Sequence, residues 1–152
     1  MRSLLKYWIP VIAWAGLIFF FSTNSFSASN TSRIITPILH WIHPDITEEG
    51  VSAVHFVVRK LGHWSEYFFF ALLLMRALNP TSSRRWEFRH ALYAALVIFL
   101  YACSDEFHQS FIPSRSASLN DSFLDFFGGV CGLVCSYWQC RRAVPNETIE
   151  GG

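Results

Sequence analysis

Four apolar stretches, each close to membrane length and each bounded or interrupted by ionisable residues, fill most of a 152-residue chain. They read "YWIPVIAWAGLIFFFS" (7–22), "HWSEYFFFALLLMRAL" (63–78), "HALYAALVIFLYACSDE" (90–106) and "SFLDFFGGVCGLVCSYWQC" (122–140). A hydrocarbon core of about 30 Å needs roughly 20 apolar residues in helical form. Any one stretch could be the buried helix of a soluble protein; four in so short a chain predict an integral membrane protein. In lipid, backbone N–H and C=O groups must be satisfied within the segment, so helices follow. The expected fold is all-α: a polytopic integral membrane four-helix bundle with spans at about 5–22, 61–78, 90–107 and 122–140. It forms a single domain over 1–142, followed by a disordered tail at 143–152.

Composition points the same way. Hydrophobic residues make up 52% of the chain and charged residues 15%, where soluble domains carry about a quarter charged. Fifteen Phe, six Trp and five Tyr suit lipid contact and interfacial belts. A net charge of +1 leaves no concentrated basic face, and no nucleic-acid partner is expected. Cys103, Cys131, Cys135 and Cys140 lie in or beside apolar runs without CxxC spacing, which argues against a disulfide framework or a zinc knuckle. The first stretch is longer than the apolar region of a secretory signal and stays aromatic to its end, so it is read as a retained span.

Lys and Arg set the orientation. With the N-terminus inside, Arg2, Lys6, Arg76, Arg84, Arg85, Arg89, Arg141 and Arg142 fall at the inner side, against Arg33, Arg59, Lys60 and Arg115 outside. Both termini are expected in the cytoplasm, and the chain in the bacterial plasma (inner) membrane. The first external loop contains "RIITPILHWIHPDI" (33–46), which is expected to lie as a short interfacial helix. Thr47 is placed to cap a helix from about Glu48 that runs without proline into the second span.

The polar residues then fall into an order. At 100° per residue, Lys60, His63 and Tyr67 share a stripe with Glu66 at its margin. Asp105, His108 and Gln109 share another, with Tyr101 further in and Glu106 beside it. Asp121 and Asp125 align with Gly128, Gly132 and Ser136, and small residues four apart mark close helix approach. Ionisable groups at membrane depth cost about 2.5–3.5 kcal/mol each. Several drawn from three helices to one leaflet predict an outward-facing polar pocket. The pairs His63/Glu66 and Asp105/His108 have an i,i+3 spacing able to supply metal ligands, yet no H-E-x-x-H motif is present; no metal and no cofactor is assigned.

Two of these segments carry a resemblance. "RKLGHWSEYFFFALLL" (59–74) resembles the K-x-x-H-x-x-x-Y pattern of VanZ-like membrane proteins. "SDEFHQSFIPSRSASLNDSFLDFFGG" (104–129) resembles their D-E-x-x-Q-x-F-x-P-x-R-x-x-x-x-x-D-x-x-x-N-x-x-G signature. The match touches Lys60, His63, Tyr67, Asp105, Glu106, Gln109, Phe111, Pro113, Arg115, Asp121 and Gly128. Asp125 departs from it, standing where many members carry Asn.

The resemblance implies a role in the cell envelope and a link by family to glycopeptide (teicoplanin) resistance, without supplying a mechanism. Three readings stay open. As an envelope enzyme, the chain acts on a lipid-linked or amphiphilic substrate, with His63, Asp105 and Glu106 as catalytic candidates. Lys60, Glu66, Tyr67, Gln109, Arg115, Asp121 and Asp125 are then candidates for substrate binding. As a non-catalytic module it binds lipid or antibiotic through the same residues. As a small proton-coupled transporter it needs a polar path inward, which "ALVIFL" in the third span does not offer. Expected partners are membrane lipids and a lipid-linked envelope precursor or lipoglycopeptide.

Overall fold

A computed structural model describes residues 2–23, 28–79, 86–112 and 119–142. The described residues form five helices and no strand: α1 (Arg2–Ser22), α2 (Ala28–Ile42), α3 (Glu48–Leu78), α4 (Phe88–Gln109) and α5 (Leu119–Arg142). The all-α expectation holds. The tail at 143–152, Arg84, Arg85, Pro113 and Arg115 lie outside the described residues.

α3 is the axis of the fold and packs against each of the other four helices. Its start is fixed locally. Thr47 has extended backbone and its hydroxyl accepts a hydrogen bond from the Gly50 amide at 3.2 Å, while Glu48 and Glu49 place negative charge at the positive end of the helix dipole. It ends where the Asn79 amide returns to the Met75 carbonyl.

Buried positions fall on one stripe per helix. On α4 they are Ala91, Ala94, Ile98, Ala102, Asp105 and Gln109, stepping by three and four as one helical face requires. Small residues in this stripe admit Tyr67, Phe70, Leu74 and Met75 of α3, and Val11 and Ile18 of α1 close the core. On α5 the stripe is Asp121, Asp125, Gly128 and Gly132. A Cβ on Gly128 would collide with the backbone carbonyl of Trp64, and one on Gly132 with that of Phe68; one on Gly129 would lie 2.6 Å from Ile98 Cγ2. The glycines let α5 lie directly on the α3 backbone, the small-residue contact typical of helices packed in lipid.

α1 is tied in by two hydrogen bonds to main-chain oxygens. Trp14 Nε1 donates to the Glu66 carbonyl at 2.9 Å, and the Tyr101 hydroxyl donates to the Ala15 carbonyl at 2.7 Å. α2 rests on the first half of α3, where Thr36 Oγ1 and His55 Nε2 are 3.1 Å apart. It is longer than the expected interfacial segment and carries Pro37 inside it. It stops just before Pro44, which disfavours helical backbone at His43.

The outer surface is unusually greasy. Ile9, Ile12, Phe20, Leu92, Leu96, Leu100, Phe127 and Val134 are all exposed, an arrangement that water does not tolerate over large contiguous areas. Four spans were expected. By length and composition, two of the described helices suffice to cross a membrane: Leu5–Ser22 of α1 and Phe88–Gln109 of α4. α3 and α5 are diluted by Lys60, His63, Glu66 and Arg76 in one and by Asp121, Asp125 and three glycines in the other.

The glycine contact generates a prediction. Gly128→Ala forces two backbones apart and is expected to destabilise the protein by about 1–3 kcal/mol, the range for overpacking. Gly16→Ala, whose new methyl meets nothing within 4 Å, is expected to be neutral or to stabilise by about 0.5–1 kcal/mol. Unfolding in detergent micelles, followed by circular dichroism, compares the two.

Candidate functional site

The three inner stripes share a design: apolar or small along most of their length, polar at one end. Because α3 and α4 run in opposite directions, as do α4 and α5, the polar ends coincide. Lys60, His63 and Tyr67 come from α3, Asp105, Glu106 and Gln109 from the last turns of α4, and Asp121, Ser122 and Asp125 from the first turns of α5.

The contacts are specific. Lys60 Nζ is paired with Asp121 Oδ1 and lies 5.3 Å from the centre of the Phe56 ring. One helical turn deeper, His63 Nδ1 is 3.4 Å from Asp125 Oδ1. Across the bundle, Gln109 Nε2 donates to Asp105 Oδ2 at 3.0 Å. One donor atom each from His63, Asp105 and Asp125 lies within 4.8 Å of the other two. Glu66, half-buried one turn along from His63, is within electrostatic reach of His63 and Tyr67.

The site is closed. Asp125 is 0% exposed, Asp105 3%, Glu106 5% and His63 8%, so these groups form a packed cluster in place of the expected open pocket. The reason is the glycine contact, which draws α5 onto α3 and seals the space between them. Burial leaves several polar atoms without a hydrogen-bond partner: both carboxylate oxygens of Asp125, His63 Nδ1, the Tyr67 hydroxyl and the Ser122 hydroxyl. Each such group normally costs about 1–3 kcal/mol.

Two surface grooves lie elsewhere. One of about 650 Å³ runs beside Glu48, Ser52, Phe56 and Val57, and one of about 490 Å³ lies by Cys135, Trp138, Gln139 and Arg142. Neither is lined by the acids of the cluster.

The sequence-derived candidates mostly meet. Lys60, His63, Tyr67, Asp105, Glu106, Gln109, Asp121 and Asp125 are brought to one end of the bundle. Glu106, expected beside the polar face, is buried as deeply as Asp105. His108, expected on the face of Asp105 and Gln109, stacks against Phe19 of α1, the ring centres 4.6 Å apart. The i,i+3 ligand pairs are therefore not the ones assembled: Asp125 takes the place that Glu66 and His108 held in that reading. Ser22 and Ser122 are buried and were not anticipated. Ser122 precedes Asp125 by three residues, a spacing that could have flagged it; nothing in the sequence marks Ser22.

A family model described as VanZ/LLP1 matches residues 7–139. The chain belongs to that family. The matched region contains all five helices' main parts and every residue of the VanZ-like cluster just described. No curated protein and no solved structure shows significant similarity to the chain.

The Lys60–Asp121 pair is the cluster's outermost contact, its side chains 22% and 8% exposed. Lys60→Met and Asp121→Asn are each expected to cost on the order of 1–3 kcal/mol, because each strands a charged partner. The double variant should cost less than their sum. A double-mutant cycle on unfolding in micelles measures the coupling.

Proposed function

We propose that this VanZ-family chain crosses the bacterial plasma membrane four times, through α1, the second half of α3, α4 and α5. Both termini lie in the cytoplasm, and the polar end faces the outer leaflet, where its partly exposed rim of Lys60 and Asp121 meets an anionic lipid-linked or amphiphilic envelope substrate. The observation that carries the reading is the gathering of His63, Asp105, Glu106, Asp121, Asp125 and Lys60 at one end of a bundle whose remaining core is apolar. A merely structural bundle gains little from burying four carboxylates, since each adds desolvation cost.

The residues divide the work by position. Lys60 is partly exposed and can exchange Asp121 for a phosphate of the incoming head group; Arg115, a second cation in the sequence between α4 and α5, is the candidate to assist it. Asp125 faces His63 Nδ1, the arrangement in which a carboxylate fixes the imidazole's orientation and leaves its other nitrogen to take or give a proton. Asp105, oriented by Gln109, and Glu106 are the remaining acid–base groups, and Tyr67 lines the floor. The same contacts without proton transfer would make a binding module for lipid or lipoglycopeptide, the form in which a resistance role would arise. A proton-coupled transporter is disfavoured, because Phe70, Leu74, Ala94 and Ile98 fill the core beyond the cluster.

Two outcomes test this reading. Reporters fused in the α2–α3 turn near Asp45 and at the C-terminus should score outside and inside respectively; the same side for both, or the reverse order, overturns the topology. In a deletion strain, the wild-type gene should restore a changed envelope lipid profile. Asp105→Asn and Glu106→Gln should lower that turnover by about 100-fold or more if they act in proton transfer. Full restoration by these isosteric variants leaves the binding module in place of the enzyme.

A further inference from the structure

We infer that His63, Asp105 and Asp125 form a binding site for one divalent transition cation. Three helices each contribute one donor, and the three donor atoms lie within 4.8 Å of one another. Ligands held about 2.0–2.2 Å from a single tetrahedral ion are themselves about 3.3–3.6 Å apart. His63 Nδ1 and Asp125 Oδ1 stand 3.4 Å apart. That exceeds the usual 2.7–3.2 Å of a nitrogen–oxygen hydrogen bond and matches the edge of a metal tetrahedron.

The second observation is what surrounds this spacing. Asp125 is 0% exposed, yet neither of its oxygens receives a hydrogen bond of normal geometry; its contact with His63 Nδ1 is that 3.4 Å approach. Tyr67 is equally buried, its hydroxyl unpartnered and within electrostatic reach of both Asp105 and Asp125. A carboxylate taken wholly out of water needs a cation or several donors. The nearest lysine, Lys60, is engaged by Asp121. A divalent ion at the centre would satisfy Asp125 and draw on His63 and Asp105 as further ligands. Gln109, donating to Asp105 Oδ2 at 3.0 Å, makes the kind of outer hydrogen bond that orients metal-ligating carboxylates.

The donor set defines the ion. One imidazole nitrogen and two carboxylate oxygens suit Zn²⁺ or Mn²⁺ and disfavour Cu⁺, which selects sulfur. The four cysteines contribute nothing to the cluster. The ion's use rests on the proposed function: placed beneath Lys60, it would polarise a phosphate oxygen or a bound water of the envelope substrate. The binding itself does not depend on that reading.

The experiment is metal loading of the full chain, purified in detergent with affinity tags removed and stripped with a chelator. Zn²⁺ or Mn²⁺ alone should rebind at about one ion per chain and raise the unfolding temperature. His63→Ala, Asp105→Asn and Asp125→Asn should each abolish the stoichiometric ion; Gln109→Ala, which only positions Asp105, should weaken it by about 10–100-fold. Glu49→Gln should bind as wild type. A wild-type chain that takes up neither ion, or ligand variants that bind as well as wild type, overturns the inference.

Should the variants fail to fold, Co²⁺ in the wild type decides. Visible d–d bands without a thiolate charge-transfer band support nitrogen–oxygen ligation, and a thiolate band overturns it. Metal-free wild type with an intact Asp105-dependent lipid phenotype removes this site alone. Stoichiometric metal without any lipid phenotype removes the proposed function alone.

Discussion

Direct contact between the α5 glycines and the α3 backbone governs the rest of the molecule. With Gly128 against the Trp64 carbonyl and Gly132 against that of Phe68, the register of the two helices is fixed to within a turn. Two consequences follow from geometry alone. Asp125, three residues before Gly128, must fall opposite His63, and Asp121, one turn earlier, opposite Lys60. The ion pairs do not set the packing; they are what the packing makes available. Side chains in place of hydrogen would lift α5 away, open the seam to water or lipid, and loosen both contacts together.

The seam also explains why the acids are expensive. An exposed carboxylate at the end of a span can reach water or head groups at little cost. Here the glycines bring α5 so close that Asp125 has no such escape, and Asp105 is pressed in from α4 beneath it. Tyr67, the largest fully buried side chain at this level, fills the space that water would otherwise occupy. The cluster is therefore dense, buried and rich in acids, with the apolar layer of Phe70, Ile98 and Leu74 separating it from the other end of the bundle. At that other end the polar contacts are of a milder kind: His90 Nδ1 lies 2.7 Å from Asn79 Oδ1, and Trp86 Nε1 donates to Ser136 Oγ at 3.2 Å.

Much of this could be read from the order of residues. The stripe Asp121, Asp125, Gly128, Gly132 announces an inward-facing helix edge because small residues and acids share one periodicity, and Lys60, His63 and Tyr67 do the same on α3. Thr47 before two glutamates marks a helix start from local chemistry. What could not be read is which stripe meets which, since that depends on the depth to which the glycines let α5 sink. So Lys60, a substrate-binding candidate by its position in the sequence, proves to be paired with Asp121. His108 illustrates the limit of a helical wheel. Its angle puts it with Asp105, but the neighbouring α1 offers Phe19 and the imidazole stacks there. The membrane spans were equally ambiguous, because the polar groups that build the cluster lower the apolar content of α3 and α5.

α3 has 31 residues, about 46 Å of rod at the usual helical rise, and His63 sits at its midpoint. Roughly 18 Å of α3, the part before Lys60, therefore stands beyond the cluster, with α2 leaning on it through Thr36 and His55. α4 has already stopped at Gln109, and α5 has only begun at Leu119. This gives the acidic end a tall flank on one side, like a jetty beside a landing. From that quarter the imidazole and the carboxylates lie behind α2 and the Val51–Phe56 stretch, so the cluster's surroundings are lopsided, walled on one side and low on the other.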